Sequence, residues 1–383
     1  MTTLSESKEE QTLLNCLRDP QNYDFSTTYD FDKLQELCSY HRIRPQLYEM
    51  LKNNPSLPSE FRSYLKSHRE QWAFRNLAFL AAAQQINTAF KDSHIDLLFY
   101  KGGLLSQAIY QDFSLRESSD LDIIVSPENL KEVTLILTEL GYSLCRDNNL
   151  WNKELFISSD SEIEWFHPDK QITLDLHWRP NHPRTGLNFS FEDCLQHSQK
   201  LEIQNYSYPI MTEAFSFLVL SCHRVKSPQR RLCHLLDLIR LSEKDTFNWQ
   251  ELAQLSQHFQ LEKVIAKTLI SIQSVKPTWQ TSTEIIRILP CNWKQLEQKT
   301  EDLQPVINIP ALSLTRVAQA IRFLLYSTSN HYSIRKKISS STFVFFHPSV
   351  QVMRQVLLPN KLRYLYPLII PMIYLRMALT KSR

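Results

Sequence analysis

Glycine is nearly missing from this chain, with four among 383 residues. A turn-dense all-β fold, which draws on glycine wherever the backbone takes a positive φ, is therefore disfavoured and long helices are favoured. Paired cysteines are missing too. Cys16, Cys38, Cys145, Cys194, Cys222, Cys233 and Cys291 are scattered, odd in number and without the spacing of a zinc site or a disulfide framework. They read as reduced, mostly buried thiols, which suits a cytoplasmic protein. Neither sign of charge dominates, since 43 Lys and Arg face 40 Asp and Glu, so no global field marks a nucleic-acid binder.

A long apolar run is also lacking. The first ten residues, MTTLSESKEE, are polar and acidic, the wrong chemistry for a signal peptide. The most apolar stretch, LYPLIIPMIYL at residues 365–375, falls short of the roughly 20 residues a bilayer span needs, and two prolines are expected to interrupt it. Lys361 and Arg363 precede it, and Arg376, Lys381 and Arg383 follow. Two readings stay open: buried C-terminal packing, or peripheral contact with an anionic membrane or a protein partner.

The length predicts two or three domains. Residues 60–90 carry apolar side chains at helical spacing with no proline or glycine, which predicts one long amphipathic helix. From about residue 94 to 208 the character changes to short runs rich in Ile, Leu, Val and aromatics, namely HIDLLFY, DLDIIV, EIEWFH and ITLDLHW, the mark of strands. The helical period returns beyond Met211. The expected class is α+β: N-terminal helices over residues 1–92, a small mixed-sheet core over 93–208 and a C-terminal helical domain over 209–383. RPNHPR at residues 179–184 is expected to lead the chain out of the sheet.

Within the core, residues 97–125 read LLFYKGGLLSQAIYQDFSLRESSDLDIIV: strand, Gly-Gly turn, short helix, polar loop, strand. Glycines at such a turn let backbone approach an anion, and the helix start favours phosphate oxygens. Asp120 and Asp122 flank Leu121, so strand alternation puts both carboxylates on one face about 6.5 to 7 Å apart. Side by side they repel unless a cation neutralises them, while Leu121, Ile123 and Val125 point into the core. The competing reading is an exposed edge strand whose polar face carries two acids. Asp175 sits between leucines in ITLDLHW, where an acid is costly without compensation. If the two strands are neighbours, three carboxylates meet as two Mg²⁺ ions about 3.5 to 4 Å apart require for in-line phosphoryl transfer.

This pattern resembles the nucleotidyltransferase superfamily of DNA polymerase β type. More narrowly, Lys101-Gly102-Gly103, Arg116, Asp120-Leu121-Asp122 and Asp175-Leu176-His177-Trp178 resemble an uncharacterised bacterial nucleotidyltransferase family, and Leu220-Ser221-Cys222-His223 with Leu235-Leu236-Asp237-Leu238 is similar to its helical segment. The resemblance implies that Asp120, Asp122 and Asp175 bind metal, that Gly102 and Gly103 face the triphosphate, and that a nucleoside triphosphate is the co-substrate. One departure stands out: the superfamily usually has serine after its first glycine, where this chain has Gly103.

Arg116 and Lys101 are the cations nearest the motif. Arg116 is read either as a triphosphate contact or as a solvated loop arginine, and Lys101 either as a phosphate contact or as the partner of a neighbouring acid. His177 shares a strand face with Asp175, so it binds substrate, orients the carboxylate or simply packs. His223, Arg230, Arg231, His234 and Asp237 fall on two helical segments that either face the cleft or form an interdomain salt-bridge network. Arg335-Lys336-Lys337 and the aromatic residues 343–346 are too short a signal for nucleic-acid binding. The function expected is a metal-dependent nucleotidyltransferase acting on an unidentified small molecule, glycan or protein. The alternatives are a non-catalytic scaffold of the same fold and an antitoxin-like transferase that modifies a partner protein.

Overall fold

The computed structural model describes residues 7–26, 29–145, 154–226, 231–289, 337–338, 342–343 and 347–380. Cys291, Arg230, Arg335, Lys336, Lys381 and Arg383, and residues 344–346 of the aromatic run, lie outside the described residues. The chain begins with α1 (Lys8–Arg18), α2 (Phe31–His41), α3 (Arg44–Leu51) and the 34-residue α4 (Ser59–Asp92). That last helix matches the uninterrupted periodicity of its sequence to within two residues at each end.

The sheet region follows with β1 (Leu97–Phe99), α5 (Gly102–Tyr110), β2 (Leu121–Val125), α6 (Leu130–Glu139), β3 (Ser143–Leu144), α7 (Glu154–Ser159), β4 (Glu162–His167), β5 (Ile172–His177), α8 (Phe191–Gln196), β6 (Ser198–Ile203) and β7 (Tyr206–Met211). Helices then resume as α9 (Glu213–Lys226), α10 (Leu232–Ser242), α11 (Trp249–His258), α12 (Glu262–Val275) and α13 (Thr283–Ile288), with α14 (Val350–Gln355) and α15 (Tyr366–Thr380) near the end. Fifteen α-helices among the described residues and one seven-stranded mixed sheet make this an α+β fold.

The strand order is β3-β4-β5-β2-β1-β7-β6. β2 therefore lies at the centre, antiparallel to β1 and parallel to β5, and the edge-strand reading of the D-x-D motif does not hold. The RPNHPR linker leaves the sheet only briefly, because β6 and β7 return as an antiparallel hairpin that pairs with β1. β7 carries the sheet three residues past position 208.

Alternation sorts the side chains of the central strands onto two faces. Leu97, Phe99, Leu121, Ile123, Val125, Leu174 and Leu176 join one core with the second half of α4, α6, α14 and α15. Leu98, Tyr100 and Ile124 join the other with α1 to α3 and α9 to α13. Both apolar faces are thus sealed, and the strand ends at the second face are left to carry charge.

In α15 one helix runs through Pro367 and Pro371, so the apolar segment is not interrupted as its prolines predict. Pro367 falls in the first turn, where a missing N–H leaves no bond unmade. Tyr366, Ile370 and Ile373 are buried, while Leu368 and Met372 are exposed. No helix among the described residues is long and apolar enough to cross a membrane.

Candidate active site

The parallel register of β2 and β5 sets Asp122 directly opposite Asp175, and Ile124 opposite His177. Adjacent strands lie about 4.8 Å apart, so the two carboxylates are held side by side by backbone hydrogen bonds rather than by flexible loops. Asp120 sits one residue before β2 begins, where the loop leading into it is pinned. Arg44 forms a bidentate pair with Glu117, and buried Asn76 donates to the carbonyl of Arg116 at 3.0 Å. Ser119 Oγ donates to Asp120 Oδ2 at 2.9 Å.

Asp122 is the electrostatic centre. Lys101 Nζ lies 3.2 Å from its Oδ1, and His177 Nε2 lies 3.1 Å from the same atom. Burial pushes the Asp122 carboxyl up, but Lys101 and His177 outweigh it and hold the group well below the usual carboxylate range. His177 Nδ1 in turn meets Glu162 Oε2 at 3.1 Å, and Tyr100 Oη approaches the ring at 3.3 Å. His177 is thus buried and held between two acids. Asp122, Asp175 and His177 each offer a ligand atom, all within 4.8 Å of one another.

Asp175 is in the opposite condition. Burial first, then the like charges of Asp122, Asp120 and Glu162, push its carboxyl up to about 8, and Asp120 is raised by burial and by Asp122. Two neighbouring acids under this strain form a site short of positive charge, which a divalent cation would relieve.

The glycines part company. Gly102 has φ +69° and a Cβ there would meet the carbonyl of Asp120 at 3.4 Å; at Gly103 a Cβ would meet Asn76 at 3.4 Å. Gly102 lines the cleft beside the acids, whereas Gly103 lets α5 settle on α4. Lys101 precedes α5 with no side-chain cap on the helix.

Arg116 is not a solvated loop residue. Its Nε donates to Asp237 Oδ2 at 2.9 Å and its Nη1 to the Gly102 carbonyl at 3.1 Å. Tyr110 Oη completes Asp237 at 2.9 Å. Asp237 is fully buried beneath the wall, so it holds Arg116, and Arg116 holds the glycine turn.

A cavity of about 240 Å³ is lined by Lys101, Gly102, Arg116, Asp120, Asp122, Glu162 and Asp175 on the sheet side, and by Arg42, His223, Arg231 and His234 on the helical side. Arg42 and Glu162 were not among the residues expected from the sequence, whereas His223, Arg231 and His234 line the cleft, the first of the two arrangements open to those helical segments. Glu162 was legible, since EIEWFH alternates and its acids fall on the polar face; Arg42 carries no local signal, being the left-handed C-cap of α2. Burial and the charges of Arg116 and Lys101 keep His234 neutral, and its ring packs edge-on to His223 at 5.0 Å. A larger cavity, about 570 Å³ beside Arg179 and His258, has no acid in its lining; chemistry rather than volume selects the first.

Comparison with known proteins identifies the family. The chain matches the model of a family described as uncharacterised nucleotidyltransferase over residues 27–275, from α2 through α12, and it belongs to that family. No curated protein and no solved structure matches it.

Proposed function

We propose that this member of the uncharacterised nucleotidyltransferase family is a metal-dependent enzyme that moves a nucleoside monophosphate from a nucleoside triphosphate, most simply ATP, to an acceptor hydroxyl. The observation that carries the reading is the pair Asp122 and Asp175, fixed side by side on neighbouring parallel strands with Asp120 next to them, and burial with the like charges of Asp122 and Asp120 pushes the Asp175 carboxyl up. Oxygen-rich donors of this kind suit Mg²⁺, with Asp120, Asp122 and Asp175 as ligands and His177 orienting Asp122. Bound there, two such ions would supply electrostatic stabilisation to the charge on the phosphoryl oxygens.

The remaining roles fall to side chains already placed. Lys101, the Gly102 turn and the start of α5 face the triphosphate, Gly103 gives that turn its close packing, and Arg116 keeps it in position. Lys101, the Gly102 turn and the acids line one cavity, and cations beside a helix start are the chemistry that grips the phosphate end of a nucleotide. In the transfer, the acceptor oxygen bonds to the α-phosphorus while that phosphorus loses its bond to the α–β bridging oxygen. Pyrophosphate leaves with the electron pair, and ionised Asp175 takes the acceptor's proton. His223 and His234, on the helical wall opposite the acids, are the side chains offered to the acceptor.

The test is to incubate the protein with each labelled nucleoside triphosphate and a cell extract, then identify what becomes labelled. A labelled product that disappears with Asp122→Asn supports the proposal. No labelling, together with no calorimetric binding of Mg²⁺-ATP, would leave a scaffold of the same fold.

A further inference from the structure

The charge of this chain is segregated along its length. Asp302 is its last acid, and beyond it stand eleven basic residues: Arg316, Arg322, Arg335, Lys336, Lys337, Arg354, Lys361, Arg363, Arg376, Lys381 and Arg383. Residues 303–383 therefore carry +11 and residues 1–302 carry −8, which together give the chain's +3. The near-neutral total conceals a strongly cationic tail.

Where that tail is described, it is two-faced. Tyr366, Ile370 and Ile373 of α15 are buried in the core shared with the sheet. Four residues apart on the same helix, Leu368 and Met372 are each 70% exposed, and Tyr364 just before it is 69% exposed. Arg354, Lys361, Arg363 and Arg376, on the same C-terminal segment, are exposed as well. Arg363 meets Glu154 at 3.4 Å.

We propose that the outer face of α14 and α15 docks on the surface of an anionic lipid bilayer. The basic residues would be drawn to acidic headgroups, and Tyr364, Leu368 and Met372 would enter the boundary between headgroups and acyl chains. Polyanionic nucleic acid would attract the same charges but would leave Leu368 and Met372 in water, which is why lipid is the occupant the surface favours. The helix lies on the bilayer, since it is too short and interrupted by charge to span it. Because α15 packs on the sheet face opposite the carboxylates, docking leaves the cleft open.

The experiment is co-sedimentation of the full chain with vesicles of phosphatidylcholine alone or with a third of phosphatidylglycerol. The expected result is binding at least about tenfold stronger to the anionic vesicles, falling steeply as salt rises from about 50 to about 300 mM. Leu368→Asp with Met372→Asp, and separately Arg354→Glu with Lys361→Glu, should each reduce that binding about tenfold. Thermal melting by circular dichroism verifies that each variant is folded, and either pair suffices for the test. Absence of binding, equal binding to neutral vesicles, or binding unchanged by the folded variants would overturn the proposal. So would stronger binding to a short RNA that survives the Leu368 and Met372 substitutions, which would assign the surface to nucleic acid.

Discussion

Replacing Asp175 with asparagine should make the metal-free protein more stable while removing its activity. The native carboxyl titrates at about 8 because it is buried among Asp122, Asp120 and Glu162, against about 3.9 in the unfolded chain. Between those values the native state binds one proton more than the unfolded state, so this residue lowers stability as pH rises from about 4 to about 8, and the deficit is constant above that. At about 1.4 kcal/mol per unit the limit is about 6 kcal/mol; Asp175 is only partly shielded from water, and screening brings the figure to about 2 to 3 kcal/mol. An asparagine carries no such penalty. In EDTA at pH 8 the Asp175→Asn protein should melt about 3 to 6 °C above the native one, and the gap should close towards pH 5. Saturating Mg²⁺ should then stabilise the native protein by about 2 to 3 kcal/mol and the variant far less. Differential scanning fluorimetry at both pH values, with and without metal, reads all four states. An Asp175→Asn protein that melts lower in EDTA at pH 8, or that gains as much from Mg²⁺ as the native one, would refute the reasoning.

Other outcomes follow from the walls of the site. Asp237→Asn leaves the buried Arg116 guanidinium without its counter-charge and should cost about 3 to 5 kcal/mol in thermal or urea unfolding, with part recovered in Arg116→Met/Asp237→Leu. Gly102→Ala forces an alanine into a positive φ and should cost about 1 kcal/mol or more, together with nucleotide affinity. Gly103→Ala meets Asn76 only at van der Waals distance and should be close to neutral in the same melting assay. Lys101→Met removes the ammonium that lies 3.2 Å from Asp122 Oδ1, so kcat/KM for the nucleotide should fall at least about 100-fold and Mg²⁺, which competes for the same carboxylate, should bind more tightly or no worse.

Much of this arrangement was legible in the sequence because it rests on local regularities. The long helix, the strand runs around DLDIIV and ITLDLHW, and the inward leucines and isoleucines of β2 all follow from period alone. Strand adjacency was not a local matter: nothing in ITLDLHW says that it lies beside the D-x-D strand, and the register that sets Asp122 against Asp175 is a property of the whole sheet. The β6–β7 hairpin escaped notice because SQKLEI is a polar edge strand and YSYPIM, though paired on both sides, carries a proline and no strong apolar alternation. Long-range partners escaped for a similar reason. Arg116 finds Asp237 across 121 positions, and Arg42 reaches the cleft from the end of an N-terminal helix. Charge segregation, by contrast, was present in the sequence and was hidden only by summing it over the entire chain.

The central claim is that these carboxylates hold metal for nucleotidyl transfer, and the most direct measurement is the rate of pyrophosphate release from a nucleoside triphosphate with Mg²⁺ and acceptor-containing extract. The native protein should release pyrophosphate, EDTA should stop it, and Asp120→Ala/Asp122→Ala should reduce the rate at least about 1,000-fold while still folding. Equal release by the native and doubly substituted proteins would contradict the account.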